Sequence, residues 1–293
     1  MPATTLIWTG ATDGVFATAG NWSPAQAPAS GDSVIFPVDA TVDVDGSDQS
    51  AILLVNMWAE PGCNISLGSA AAYLQLDVDY LYWAGTGVSY LDVDNSTLVS
   101  IDDCAAGATG AFGLYLKGDG AAHNTQLSLS YDVAGDVGLG FTADMTTSET
   151  CQFTTIRVAG GILMISEKVT ATTLDQNGGT IYNRANLTTV TQTKNGTLYH
   201  ERTATIGTLV ADGVVYYDSN GTLTTGTITS NGTLDFSRDP RPVTITNALQ
   251  VYGGAVIRDP RGRVTWTAGF KTNKCSLTDV TLDLVTDKTW TPT

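Results

Sequence analysis

The sequence predicts an all-β chain: a parallel β-solenoid, right-handed by default, with an aromatic segment capping its N-terminal end. Three observations carry this. Short β-branched runs alternate with Gly, Asn and Asp, in a chain with 31 glycines and only 15% charged residues, and no 3.6-residue apolar period competes with them. A Gly-x-aliphatic unit recurs at a nearly fixed interval through the second half, as stacked rungs require. The opening 37 residues carry aromatics with little strand pattern. These features divide the chain into a cap segment (1–37), an acidic β region of solenoid rungs (38–156), and a regular solenoid with rungs of about eighteen residues and a C-terminal cap (157–293).

In the opening segment, Leu6-Ile7-Trp8-Thr9-Gly10 is followed by Asn21-Trp22 and then by Gly31-Asp32-Ser33-Val34-Ile35-Phe36. Trp8, Phe16 and Trp22 are expected to plug an open solenoid end, whose free edge would otherwise recruit other strands. The pattern Trp-x-Gly, Asn-Trp and Gly-Asp-x-Val-x-Phe resembles the opening of bacterial surface β-helix proteins and related phage particle proteins. The resemblance covers about thirty residues. It implies a β-helix beginning here and brings no catalytic residue with it.

The acidic region repeats itself. Leu76-Asp77-Val78-Asp79-Tyr80 returns as Leu91-Asp92-Val93-Asp94-Asn95, and Val42-Asp43-Val44-Asp45-Gly46 is similar. Strand alternation puts both Asp of each unit on one face. With the fifteen-residue spacing taken as one rung, Asp77, Asp79, Asp92 and Asp94 would stack as a carboxylate ladder. Such a ladder is either a solvated acidic face or a site for a hard cation such as Ca²⁺. No other cofactor is expected.

The regular half starts at Gly161. Gly179, Gly196, Gly213, Gly232 and Gly254 follow at intervals of 18, 17, 17, 19 and 22 residues, each opening a unit such as Gly196-Thr197-Leu198-Tyr199. Asn-Gly pairs suggest tight turns with positive φ. Arg238-Asp239-Pro240-Arg241 returns twenty residues later as Arg258-Asp259-Pro260-Arg261. Stacked turns are the plain reading; a basic patch from Arg238, Arg241, Arg258 and Arg261 for a carboxylate, a sulfate or a partner's acidic loop is the sharper one.

The net charge of −15 is unevenly placed. Residues 1–156 hold one basic side chain, Lys117, against eighteen acidic ones, whereas residues 238–293 hold eight basic and five acidic. Most of this surface repels phosphate, which argues against nucleic acid. No apolar run approaches a membrane span, and the residues after Met1 lack the pattern of a secretory signal. Cys63, Cys104, Cys151 and Cys275 are too widely spaced for a metal knuckle or redox pair. They are expected as buried free thiols.

Motifs for chemistry are absent: no Gly-x-Ser-x-Gly, phosphate loop, dinucleotide fingerprint or zinc spacing occurs. The two histidines, His123 and His200, stand apart. The expectation is therefore a non-enzymatic structural virion protein, a capsid decoration or head/tail appendage. It would be assembled in the host cytoplasm, bind capsid or other particle proteins, and form a homo-oligomer such as a trimer. The alternative is an extracellular or cell-surface adhesin or glycan-binding solenoid. A polysaccharide lyase or glycosidase ranks below both, since either needs a groove with a proton-transferring residue or a carboxyl pair.

Overall fold

The structure is a computed structural model that describes residues 3–105, 111–118, 124–131, 133, 135–141, 149–193 and 195–285. His123 lies outside them. The chain is all-β and forms two compact units, residues 1–170 and 171–293. Each is built of parallel rungs, so the predicted parallel β-solenoid is what the chain forms.

In the first unit, Thr5–Trp8, Ser33–Phe36, Asp48–Ala59, Leu74–Trp83, Leu98–Ile101, Asn124–Leu129 and Cys151–Val158 stack in parallel. One inward column runs through them as Leu6, Val34, Met57, Leu81, Val99, Leu127 and Ile156, all completely buried. A second ladder carries Leu74, Leu91, Leu116, Leu139 and Ile165 in register. The described residues of this acidic stretch thus stack as parallel rungs. Its rungs vary from the 17 residues between Leu74 and Leu91 to the 29 between Gln126 and Thr155. Corners absorb the difference, which is why no glycine phase is visible there.

The second unit has the regular rungs. Thr180–Asn183, Thr197–Arg202, Val214–Ser219, Thr233–Asp235, Val256–Asp259 and Thr281–Leu284 form one ladder, with Ile181, Leu198, Val215, Leu234 and Ile257 stacked inside. The other ladder runs from Ala171 through Leu187, Ile206 and Leu223. Gly161, Gly179, Gly196, Gly213 and Gly232 each immediately precede a strand, and the carbonyls of Gly179, Gly196, Gly213 and Gly232 accept the amides of Thr197, Val214, Thr233 and Val256 on the next rung. Positive φ explains only part of this recurrence: Gly161, Gly179 and Gly254 are left-handed, but Gly196, Gly213 and Gly232 are not. At Gly213 a Cβ would lie 2.5 Å from the Gly196 carbonyl oxygen, and at Gly196 it would meet Gln176 Cδ at 2.7 Å. The glycines there make room. The space is used by two buried glutamines, Gln176 and Gln192, bonded to each other at 3.1 Å and to the Gly179 and Gly196 carbonyls at 3.0 and 2.9 Å.

No helix among the described residues is long and apolar enough to cross a membrane.

Candidate functional site

Trp8, Phe16 and Trp22 do come together. Trp22 lies edge-on to Trp8 at 5.0 Å and to Phe16 at 5.1 Å, with Phe36 within 6.0 Å of Trp8. Their indole donors are satisfied by the Val42 and Phe16 carbonyls. Asn21, absent from the predicted plug, organises it: its Oδ1 accepts the Thr12 and Asp13 amides and its Nδ2 donates to Asp13 Oδ1 and the Val15 carbonyl. Asp32 does the same for the next corner, accepting the amides of Thr4 and Ala29. Trp22–Ser23 pairs antiparallel with Thr5–Trp8 while Ser33–Phe36 pairs parallel with it. Thr5–Trp8 is therefore bonded along both sides. The opening motif is an architectural one.

The predicted carboxylate ladder is displaced. The true register is seventeen residues, placing Asp77 beside Asp94 and Gln75 beside Asp92. Asp92 instead faces Lys117, whose Nζ lies 3.5 Å from its Oδ2. Asp77 accepts from Asn95 Nδ2 at 3.0 Å, and Asp79 falls beyond the paired stretch. Among the described residues, no group of three or more acidic, histidine or cysteine side chains could hold a metal ion. The fifteen-residue echo differs from the rung by two residues because the pairing of Leu74 with Leu91, not the Asp repeat, sets the rung.

The two Arg-Asp-Pro-Arg segments are also out of register. Asp235, not Arg238, stands beside Arg258, whose Nη1 lies 3.7 Å from it. Each Asp holds its own turn: Asp239 accepts the Arg241 amide, and Asp259 accepts the Arg263 and Val264 amides. Arg241 is clamped by Asp239 through Nε and Nη2, and Arg261 is exposed. The four arginines do not form a free basic patch. Among the described residues the buried cation is Arg263, with 6% exposure, which donates to the carbonyls of Tyr217, Ser219 and Arg241 across neighbouring rungs. It lies two residues beyond the visible motif, which hid it.

Two outward features remain. On the first unit, Ile7, Ile35, Trp58 and Tyr82 stand in register on successive rungs. Trp58 is 47% exposed, Ile7 42% and Tyr82 36%, with Leu53 and Val55 also exposed on the Trp58 strand. Among the described residues neither the Trp58 nor the Tyr82 ring touches another aromatic ring. On the second unit, Tyr182, Tyr199 and Tyr216 stack face to face at 4.7 and 4.9 Å. Those rings spend their faces on one another and on the Arg238 guanidinium, 4.8 Å from Tyr199 and 4.9 Å from Tyr216.

His200 is completely buried. Burial pushes its imidazole down to about 4, which suits packing rather than proton transfer near neutral pH. Burial likewise pushes the Cys104 thiol up to about 12 and raises Cys63 and Cys151. All four cysteines are free, three of them buried and Cys275 partly exposed.

No family model, no curated protein and no solved structure matches the chain.

Proposed function

We propose that the chain is a non-enzymatic structural protein that docks on other proteins of a larger assembly, a virus particle first among these. The observation that carries the reading is the ladder of Ile7, Ile35, Trp58 and Tyr82, an in-register apolar strip with two half-exposed aromatic rings. Aromatic residues anchored in a partner's pockets supply most of the energy of many interfaces. Continuous parallel pairing behind the strip makes it a rigid presenter, which lowers the ordering cost of binding.

Charge states what the partner looks like. With one basic residue among the first 156, the strip suits a surface with an apolar centre and a rim of Lys and Arg. The fold's role is then mechanical: stiff parallel rungs fixed to a partner by one apolar strip.

The test is mass spectrometry of density-purified particles from the source culture, beside washed envelope and growth medium. Recovery in fixed stoichiometry with particles supports the reading. Recovery in envelope or medium alone rejects the particle role and promotes the adhesin alternative.

A further inference from the structure

Tyr182, Tyr199 and Tyr216 hold the same place on three successive rungs of the second unit, outward and part-exposed. Neighbouring rungs lie about 4.8 Å apart, and the rings follow that spacing. Tyr182 and Tyr199 have centroids 4.7 Å apart and planes 7° from parallel; for Tyr199 and Tyr216 the values are 4.9 Å and 13°. Because these residues pair in register, the ring carbons beside the hydroxyl of one phenol lie next to those of its neighbour.

Such a stack is arranged for oxidative coupling. A one-electron oxidant takes an electron from a phenol, whose hydroxyl proton passes to water, leaving a radical with spin on the Cε carbons. Two adjacent radicals join Cε to Cε. The hydrogens on those two carbons then move as protons to the oxygens and restore both hydroxyls. In total two electrons pass to the oxidant, two protons pass to water, and one C–C bond is made. Proximity selects the product, since neighbours already held together react far faster than partners that must first meet by diffusion.

A further stacked pair, Tyr90 and Tyr115 on the first unit, is close enough at 4.6 Å but unsuited. Tyr115 is 1% exposed, and its hydroxyl accepts the Phe112 amide at 3.1 Å. Of the outward pairs, Tyr182 with Tyr199 is the closer and the more parallel. We propose that Tyr182 and Tyr199 are an oxidative cross-linking site, where a one-electron oxidant joins them as dityrosine and staples two rungs together. The bond closes the loop from Tyr182 to Tyr199 and restricts the unfolded chain as a disulfide does. The site is independent of the apolar strip on the first unit.

The test is photo-oxidation of the dilute full chain with tris(bipyridyl)ruthenium, persulfate and visible light, followed by trypsin digestion and mass spectrometry. Trypsin cuts after Arg184, Lys194 and Arg202, so the two tyrosines fall in separate peptides. The expected product is those two peptides joined, lighter than their sum by two hydrogens, with dityrosine fluorescence in the monomeric chain. Tyr199→Phe keeps a ring in the stack and should lower that fluorescence several-fold. Tyr131→Phe should leave it unchanged, although Tyr131 is 73% exposed. Unfolding in urea before illumination should also lower it several-fold. Failure to recover the joined peptides, equal fluorescence from Tyr199→Phe, or equal yield from the unfolded chain would each overturn the proposal.

Discussion

His200 provides the sharpest quantitative prediction. Its Nε2–H donates to the Ala204 carbonyl at 2.9 Å and its Nδ1 accepts from Asn183 Nδ2 at 2.9 Å. Asn183 cannot turn to accept instead, because Ala185 holds its amide through both Nδ2 and Oδ1. A second proton on the ring would point at a donor. The folded imidazole is accordingly held at about 4, against an ordinary value of 6.5. A base depressed on folding is protonated first in the unfolded chain, so its stability contribution is intact above pH 6.5 and is lost as the pH falls toward 4. Between pH 7.5 and 5.0 the loss works out at about 2 kcal/mol, rising to about 3 kcal/mol below pH 4. The perturbation is His200→Gln, which removes the titration. Denaturant unfolding of both proteins at pH 7.5 and 5.0 gives a double difference in which the carboxylates cancel. The parent should lose about 2 kcal/mol more than the variant on acidification. An equal loss, or a His200 ring that titrates near 6.5 by NMR, would refute the reasoning.

Four further outcomes follow from the same structure. Leu209→Ala should cost about 2–5 kcal/mol in denaturant unfolding, because Leu209 is fully buried between Val190 and Gly226 on adjacent rungs. Asn21→Ala should strip four hydrogen bonds from the cap and speed amide exchange across residues 5–23, with exchange in the second unit unaffected. Iodoacetamide should label only Cys275 in the native chain and all four cysteines after unfolding, since burial raises the thiols of Cys63, Cys104 and Cys151. Millimolar calcium, added and then chelated, should leave the melting temperature unmoved, because only Asp77 and Asp94 stack and Lys117 faces Asp92.

The architecture was legible where repeated contacts leave a repeated residue. Gly179, Gly196 and Gly213 recur because the carbonyl of each accepts an amide of the next rung at the same point of the coil, and the apolar residue two positions later always points inward. The aromatic plug was legible because Trp8, Phe16 and Trp22 crowd into one short stretch of the sequence. Register was not legible. A strand that alternates Leu-Asp-Val-Asp looks the same after a two-residue slide, and only the pairing of Leu74 with Leu91 fixes it. Corner lengths were equally hidden, so the Arg-Asp-Pro-Arg repeat at twenty residues misled where the local rung spans the 23 from Asp235 to Arg258. Of the candidate sites, the outward ladder could have been read from alternation in Leu6-Ile7-Trp8 and Asn56-Met57-Trp58, had the register been known.

The central claim is that the strip through Trp58 and Tyr82 fastens the chain to a protein partner. The direct measurement is rebinding of purified chain to density-purified particles from which it has been stripped, comparing the parent with a Trp58→Ser, Tyr82→Ser double variant. The account predicts that the parent cosediments and the variant stays in solution, with both melting alike because the two side chains are half exposed. A variant that rebinds as tightly as the parent would contradict it.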